Sequence, residues 1–249
     1  MRTVVGFVLV AVYLLPVGVM VAYPDGDAWT TRILGDPQVF RYVVNSFVIA
    51  SGTCVLTLVL AVPAAYALAR LPLRGKPVLM LLMLSSLMFP AIMLATPLFV
   101  VFSRLGLTDT YAGLILADTT LALPYAIVLL RPAFAAVPRE FGEAAVIDGC
   151  SAFGVFWRVV LPLVLPGVAT VAVLAFLWGW GDLVFALTLA TDDEMRPVTT
   201  GLWGFFGATT SDWGGAMAFA TVAMIPPLGV FLLSQRLVVA GVAAGGTKG

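Results

Sequence analysis

The chain has 249 residues, 61% hydrophobic and 10% charged, with a mean hydropathy of +1.08. Soluble domains carry roughly 25% charged residues, so a soluble enzyme, a disordered chain and a coiled coil are excluded, and a net charge of zero gives no sign of nucleic-acid binding. There is no histidine for a metal site or a proton relay, and Cys54 and Cys150 form no C-x-x-C pair.

A helix needs about 20 apolar residues to cross a bilayer. Six stretches qualify, at about 3–23, 42–69, 77–103, 110–134, 159–190 and 213–238. They are apolar all round and do not alternate like barrel strands, so the expected class is an all-α membrane protein of six transmembrane helices. The first stretch is too long for a typical signal core and lacks an A-x-A site, so it reads as an uncleaved span. Placing the N-terminus inside puts Arg2, Arg70, Arg74, Lys76, Arg131, Arg139, Arg158, Arg236 and Lys248 in inner segments. Only Arg32, Arg41, Arg104 and Arg196 then fall outside. By the positive-inside rule both termini are expected in the cytoplasm. The outer loops at 24–41 and 191–212 are acidic and polar enough to meet a soluble partner. The chain is expected to form a single membrane domain, 1–249.

The inner loop between spans four and five, 137–151, carries the most information. Pro138 suits the first position of a helix, and Glu140 and Glu143 fall in its early turns, where the helix dipole favours acids. Gly149 suits a left-handed C-terminal stop. Ser151 suits the cap of the next helix, which enters the membrane at Pro162. The spacing predicts a short helix over about 138–149 with an apolar, small-residue surface from Phe141, Ala144, Ala145 and Ile147. So short a helix is unstable alone in water and needs something to pack on. A linker lying on the membrane surface fits the same residues.

Glu143-Ala144-Ala145, Gly149 three residues later, then nine residues to Val159-Val160-Leu161-Pro162 resembles E-A-A-x3-G-x9-I-x-L-P, the EAA motif of ATP-binding-cassette (ABC) importer permeases. Val159 replaces the motif's Ile. Asp148-Gly149 resembles the "DG" of the carbohydrate branch, and Cys150 stands where that branch has Ala. Asn45-Ser46, the run Ala64–Arg70, Phe176 with Trp180, Asp212-Trp213-Gly214, and the ending from Gln235 through Gly241 to Lys248-Gly249 resemble the same branch, that of the maltose importer's second permease subunit. Two features depart from it. The first 40 residues match poorly, and Gly181-Asp182 follows Trp180 where the branch has Asn-Glu or Asn-Asp.

The resemblance implies the type I ABC importer permease fold with a cytoplasmic EAA coupling helix. It implies a non-catalytic subunit in a bacterial inner membrane, paired with a homologous second permease. Two ATPase subunits bind ATP and Mg, and an extracytoplasmic solute-binding protein delivers a sugar or sugar derivative. This chain holds no cofactor of its own. The resemblance gives Glu143 the polar contact with the ATPase, Ala144 and Ala145 close approach, Asp148 and Gly149 the bend, and Pro162 the entry to span five. The tail 239–249, ending in Lys248 and Gly249, is expected to reach the ATPase too.

Asp118 in span four and Asp182 in span five are ionisable groups within spans and hence functional candidates. They and Trp180, with Trp178 and Phe185, are candidate substrate-path residues; the competing readings are that Asp182 reaches the membrane interface, that Asp118 pairs with Thr119, Thr120 or a neighbouring helix, and that the aromatics form an interfacial belt. Pro63, Pro90, Pro97, Pro124, Pro226 and Pro227 lie inside spans and suit kinked helices around a gated path. A proton-coupled transporter using Asp118 and Asp182 is the alternative, weakened by the lack of a basic partner in the spans. A self-powered pump is excluded, because Gly75-Lys76, the only Gly-Lys pair, has Arg70 and Pro77 where a phosphate loop needs Gly and Ser or Thr.

Overall fold

The computed structural model describes residue 12, residues 14–206 and residues 211–246, without the side chains of 30–32 and 236–246. The helices are α1 (14–22), α2 (Pro37–Arg70), α3 (Lys76–Ser86), α4 (Ala91–Arg104), α5 (Tyr111–Ala136), α6 (Arg139–Ile147), α7 (Ala152–Gly181), α8 (Val184–Leu189), α9 (Val198–Trp203) and α10 (Trp213–Gly246). A π-helical turn at Ala28–Ile33 precedes α2.

Local chemistry sets the boundaries. Asp36 opens α2 by accepting from the Gln38 amide at 2.9 Å, with Pro37 in the first turn. The Thr110 hydroxyl caps α5 through the Gly113 amide at 3.0 Å, and Ser151 caps α7 through Gly154 at 3.2 Å. In α7 a π turn, Val155–Val160, runs up to Pro162. The proline ring excludes an ordinary bond to Arg158, and the wider turn re-pairs the backbone around it.

Helices α2, α5, α7 and α10 (as Trp213–Gln235) are long and apolar enough to span a membrane. The expected third span is two helices, α3 and α4, bent by 97° at Leu87–Pro90. Two causes act there. The Ser85 and Ser86 hydroxyls donate to the carbonyls of Leu81 and Met83 at 2.6 and 2.7 Å, which competes with the helical ladder. Pro90 has no amide and drives Phe89 out of helical geometry. Counted as one span, this pair makes five. The expected first span, 3–23, lies largely outside the described residues.

Span five also differs from its expected bounds of 159–190. It starts at Ala152 and stops at Gly181, because Asp182 turns extended (ψ 129°) and its carboxylate accepts from the Ala186 amide at 2.9 Å. The chain then folds back as α8, burying Phe185, Ala186 and Leu189. The expected tail continues α10 as helix to Gly246, with Gly241 inside it.

Helix α2 lies against both α5 and α7, and close approach depends on missing side chains. A Cβ at Gly179 would lie 3.1 Å from the Ala50 Cα and the Thr53 Cβ. Lipid supplies no hydrophobic drive between helices, so such van der Waals contact holds them. One end of the bundle is an aromatic core in which Phe134 and Tyr66 meet edge to face at 5.8 Å, and Tyr66 lies 4.8 Å from Phe156. At the other end Phe176 stacks on Trp180 at 5.7 Å, near Phe219.

Candidate functional site

At the α6 end the short helix forms where the spacing puts it. Gly149 adopts φ +85°. The Cys150 amide donates to Ala145 O at 2.9 Å and the Gly149 amide to Val146 O at 3.0 Å. This pair of bonds is a Schellman stop, which needs a left-handed residue at that position. Asp148 is the exposed C-cap. Ala145 is 8% exposed and packs with Val155 and Phe156. Glu143 and Ala144 are exposed, together with Phe141 (51%) and Ile147 (85%). Helix α6 is thus fixed to the bundle through Ala145 and exposes Phe141, Ala144 and Ile147 together with Arg139, Glu140 and Glu143. Pro162 follows in α7, at the end of the π turn.

Arg70 supports this end. Its guanidinium donates to Phe134 O at 3.0 Å and also to Val137 O, at the C-terminus of α5. A groove of about 470 Å³ lies alongside, lined by Tyr66, Arg70, Arg139, Glu143 and Val155 among others.

At the opposite end the segment 189–200 is clasped from three sides. Asn45, 2% exposed, donates to Glu194 O at 2.8 Å and Arg196 O at 3.0 Å, and accepts from the Tyr111 hydroxyl at 2.7 Å. The Ser46 hydroxyl accepts from the Val198 amide at 2.8 Å. Asp109, at φ +55°, accepts from Thr191 N (2.6 Å), Thr191 Oγ1 (2.7 Å) and Asp192 N (2.8 Å). The Asn45-Ser46 pair noted in the sequence is therefore a loop anchor. Asp109 and Tyr111 escaped notice there; an Asp in a short polar turn was the available signal, since Asp tolerates left-handed geometry. Partial desolvation opposes ionisation of Asp109, but the bonds from Asp192 and Thr191 outweigh it and hold the carboxyl below its ordinary value. Its support is therefore complete above the ordinary carboxylate range and is lost as pH falls through the lower folded value. Asp109→Ala is expected to remove amide-exchange protection at Thr191 and Asp192 at neutral pH while α5 stays protected; unchanged protection would show that the clasp contributes nothing.

The candidate path residues sit in different settings. Asp118 is 1% exposed between α2 and α5, where Thr53 Oγ1 donates to its Oδ2 at 3.5 Å and Oδ1 has no partner. Asp182 caps α8 and accepts the Thr199 hydroxyl on its backbone carbonyl. Trp180 (7% exposed) and Phe185 (0%) are spent on packing, whereas Trp178 is 41% exposed beside Tyr125. Gln235 is exposed near the end of the α10 span, and Lys248 and Gly249 lie outside the described residues.

Residues 57–244 match the model of the binding-protein-dependent transport system inner membrane component. The chain belongs to this family. The sulfoquinovosyl glycerol transport permease of Agrobacterium fabrum is 35% identical, covering 88% of this chain and 76% of the relative. The trehalose transport permease of Mycobacterium tuberculosis is 39% identical, covering 83% and 76%. The trehalose/maltose permease of Thermococcus litoralis is 34% identical, covering 88% and 80%. Among solved structures, a chain of a bacterial ABC transporter that imports alginate superposes with a TM-score of 0.79 at 22% identity, covering 94% of both chains. The fold is therefore that of an ABC importer permease, in a multi-pass inner-membrane protein. These permease comparisons give no support to the proton-coupled alternative.

Proposed function

We propose that this chain is one of two permease subunits of an ABC importer that carries a sugar or sugar derivative into the cytoplasm. The observation that carries the proposal is α6, anchored through Ala145 while Phe141, Glu143, Ala144 and Ile147 face outward. Two ATPase subunits, holding ATP and Mg, provide the surface this helix needs, with α6 on the cytoplasmic side. Glu143 makes the polar contact, Ala144 permits close approach, and Gly149 with Asp148 fixes the exit angle toward Pro162. The tail residues Gln235, Gly241, Lys248 and Gly249 serve the same partner.

The clasped segment and its neighbours, rich in Asp192, Asp193 and Glu194, then face outward and receive a solute-binding protein. Closure of the ATPase dimer moves α6 and rocks the spans attached to it, a rigid-body switch. The chain contributes no catalytic group. Sugar is favoured as cargo by the named substrates of the relatives and by the half-exposed Trp178 beside Tyr125, which suits stacking on a sugar ring.

The test is purification of the tagged chain from its native membrane in mild detergent. A stoichiometric second permease and an ATPase, with hydrolysis stimulated by one binding protein and its sugar, are expected. A solitary chain that transports under a proton gradient would overturn the proposal.

A further inference from the structure

Among the described residues, the side-chain hydrogen bonds between α2 and α5 share one spacing. Asn45 meets Tyr111, Thr53 meets Asp118, and Arg70 meets Phe134 and Val137. The partners are 66, 65, 64 and 67 residues apart. A near-constant offset means that the two helices pack parallel in one register. Three polar pins hold them, one at each end and one in the middle. Between the pins the contact includes the small residues Ala61, Ala65 and Ala126, at most 1% exposed, beside Val62, Ile127 and Leu130.

The pins also reach beyond the pair. Asn45 holds the carbonyls of Glu194 and Arg196 at one end. Arg70 holds the Val137 carbonyl, next to Pro138 and α6, at the other. We infer that α2 and α5 form a single rigid strut linking the clasped loop to α6, with Asn45, Asp118 and Arg70 as positioning residues that keep its register. On this inference Asp118 works as the middle pin of the strut. Within the importer reading, on which this rests, the strut carries movement between the binding-protein side and the ATPase side without sliding.

The experiment uses the complete importer in proteoliposomes, with Cys54 and Cys150 replaced by Ala and thiols introduced by Ala61→Cys and Ala126→Cys. These positions are 65 apart and share one core cluster. A membrane-permeant oxidant is expected to join them, and sugar uptake per ATP is expected to match that of the reduced complex. Failure to cross-link, or cross-linking that stops uptake, would show that the helices shift past each other and would overturn the strut. Arg70→Met in the same background is expected to lower uptake per ATP at least about fivefold, the lower end of typical inter-site couplings. Oxidation should restore most of that loss. A purely structural defect would lower uptake and hydrolysis together and would gain nothing from the bond. If the reduced parent itself shows no ATP-driven uptake, the importer reading fails rather than the strut.

Discussion

Gly149→Pro abolishes uptake while ATP hydrolysis continues: this is the expected result with the largest functional effect. Gly149 sits at φ +85°, and its amide closes the stop onto Val146 O. Proline locks φ near −65° and has no amide to donate, so the turn between α6 and α7 cannot form in its present shape. A milder Gly149→Ala keeps the amide and costs about 1–2 kcal/mol for the left-handed conformation, so partial uptake is expected. Glu143→Lys tests the same surface without strain. The side chain is exposed, so insertion and folding should be unchanged, whereas a reversed charge at the proposed ATPase contact should separate hydrolysis from transport. The measurement is sugar uptake against ATP hydrolysis in proteoliposomes, with membrane content checked by immunoblot. Normal uptake in Gly149→Pro and in Glu143→Lys would remove α6 from the coupling role.

The largest effect on stability is expected from a single methyl group at Gly113. A Cβ there would lie 2.0 Å from the Leu107 carbonyl oxygen and 3.3 Å from Thr110 Oγ1. Backbone cannot swing aside as a long side chain can. Thr110 both donates to Leu107 O at 2.7 Å and accepts from the Gly113 amide at 3.0 Å, so displacement breaks the cap of α5. Overpacking of this kind costs about 1–3 kcal/mol, and the lost cap adds about 1 kcal/mol. For a chain of this size Gly113→Ala should lower Tm by roughly 5–12 °C. Gly229→Ala is the control, because nothing lies within 4 Å of its missing Cβ. Equal melting temperatures for the two variants would contradict this account.

The sequence was most informative where one residue type has one physical use. Gly149 and Ser151 marked the end of α6 and the start of α7 because left-handed stops and hydroxyl caps have few substitutes, whereas Pro138 stands just before the first turn of α6, as its N-cap with ψ 143°, and not as its first residue. The four long spans among the described residues were legible from apolar length alone, but span integrity was not. An apolar run at 77–103 looks continuous, yet two serines next to one another and Pro90 divide it, and hydropathy is insensitive to where a hydroxyl hydrogen goes. Span five hid its end for the opposite reason. Asp182 read as a charge within an apolar stretch, whereas it turns the chain and caps α8. The clasp was the least visible part, since Asn45 and Asp109 find their partners 66 to 151 residues away. Long-range bonds of that kind leave no local pattern.

The bend between α3 and α4 bears on how the protein is made. At Leu87–Pro90 the helical ladder is interrupted, and no side chain caps the first turn of α4. Met88 and Phe89 are 83% and 56% exposed at that corner. Irregular backbone is tolerated at membrane depth only where protein or a water-filled cavity covers it, never against lipid. Within the importer reading proposed above, a lone copy of this chain would be an unfinished solute for the bilayer, and the second permease subunit or a water-filled path between the two would be its solvent at this corner. On that reading assembly would be part of folding, and the cell's supply of the second permease would set how much of this chain survives.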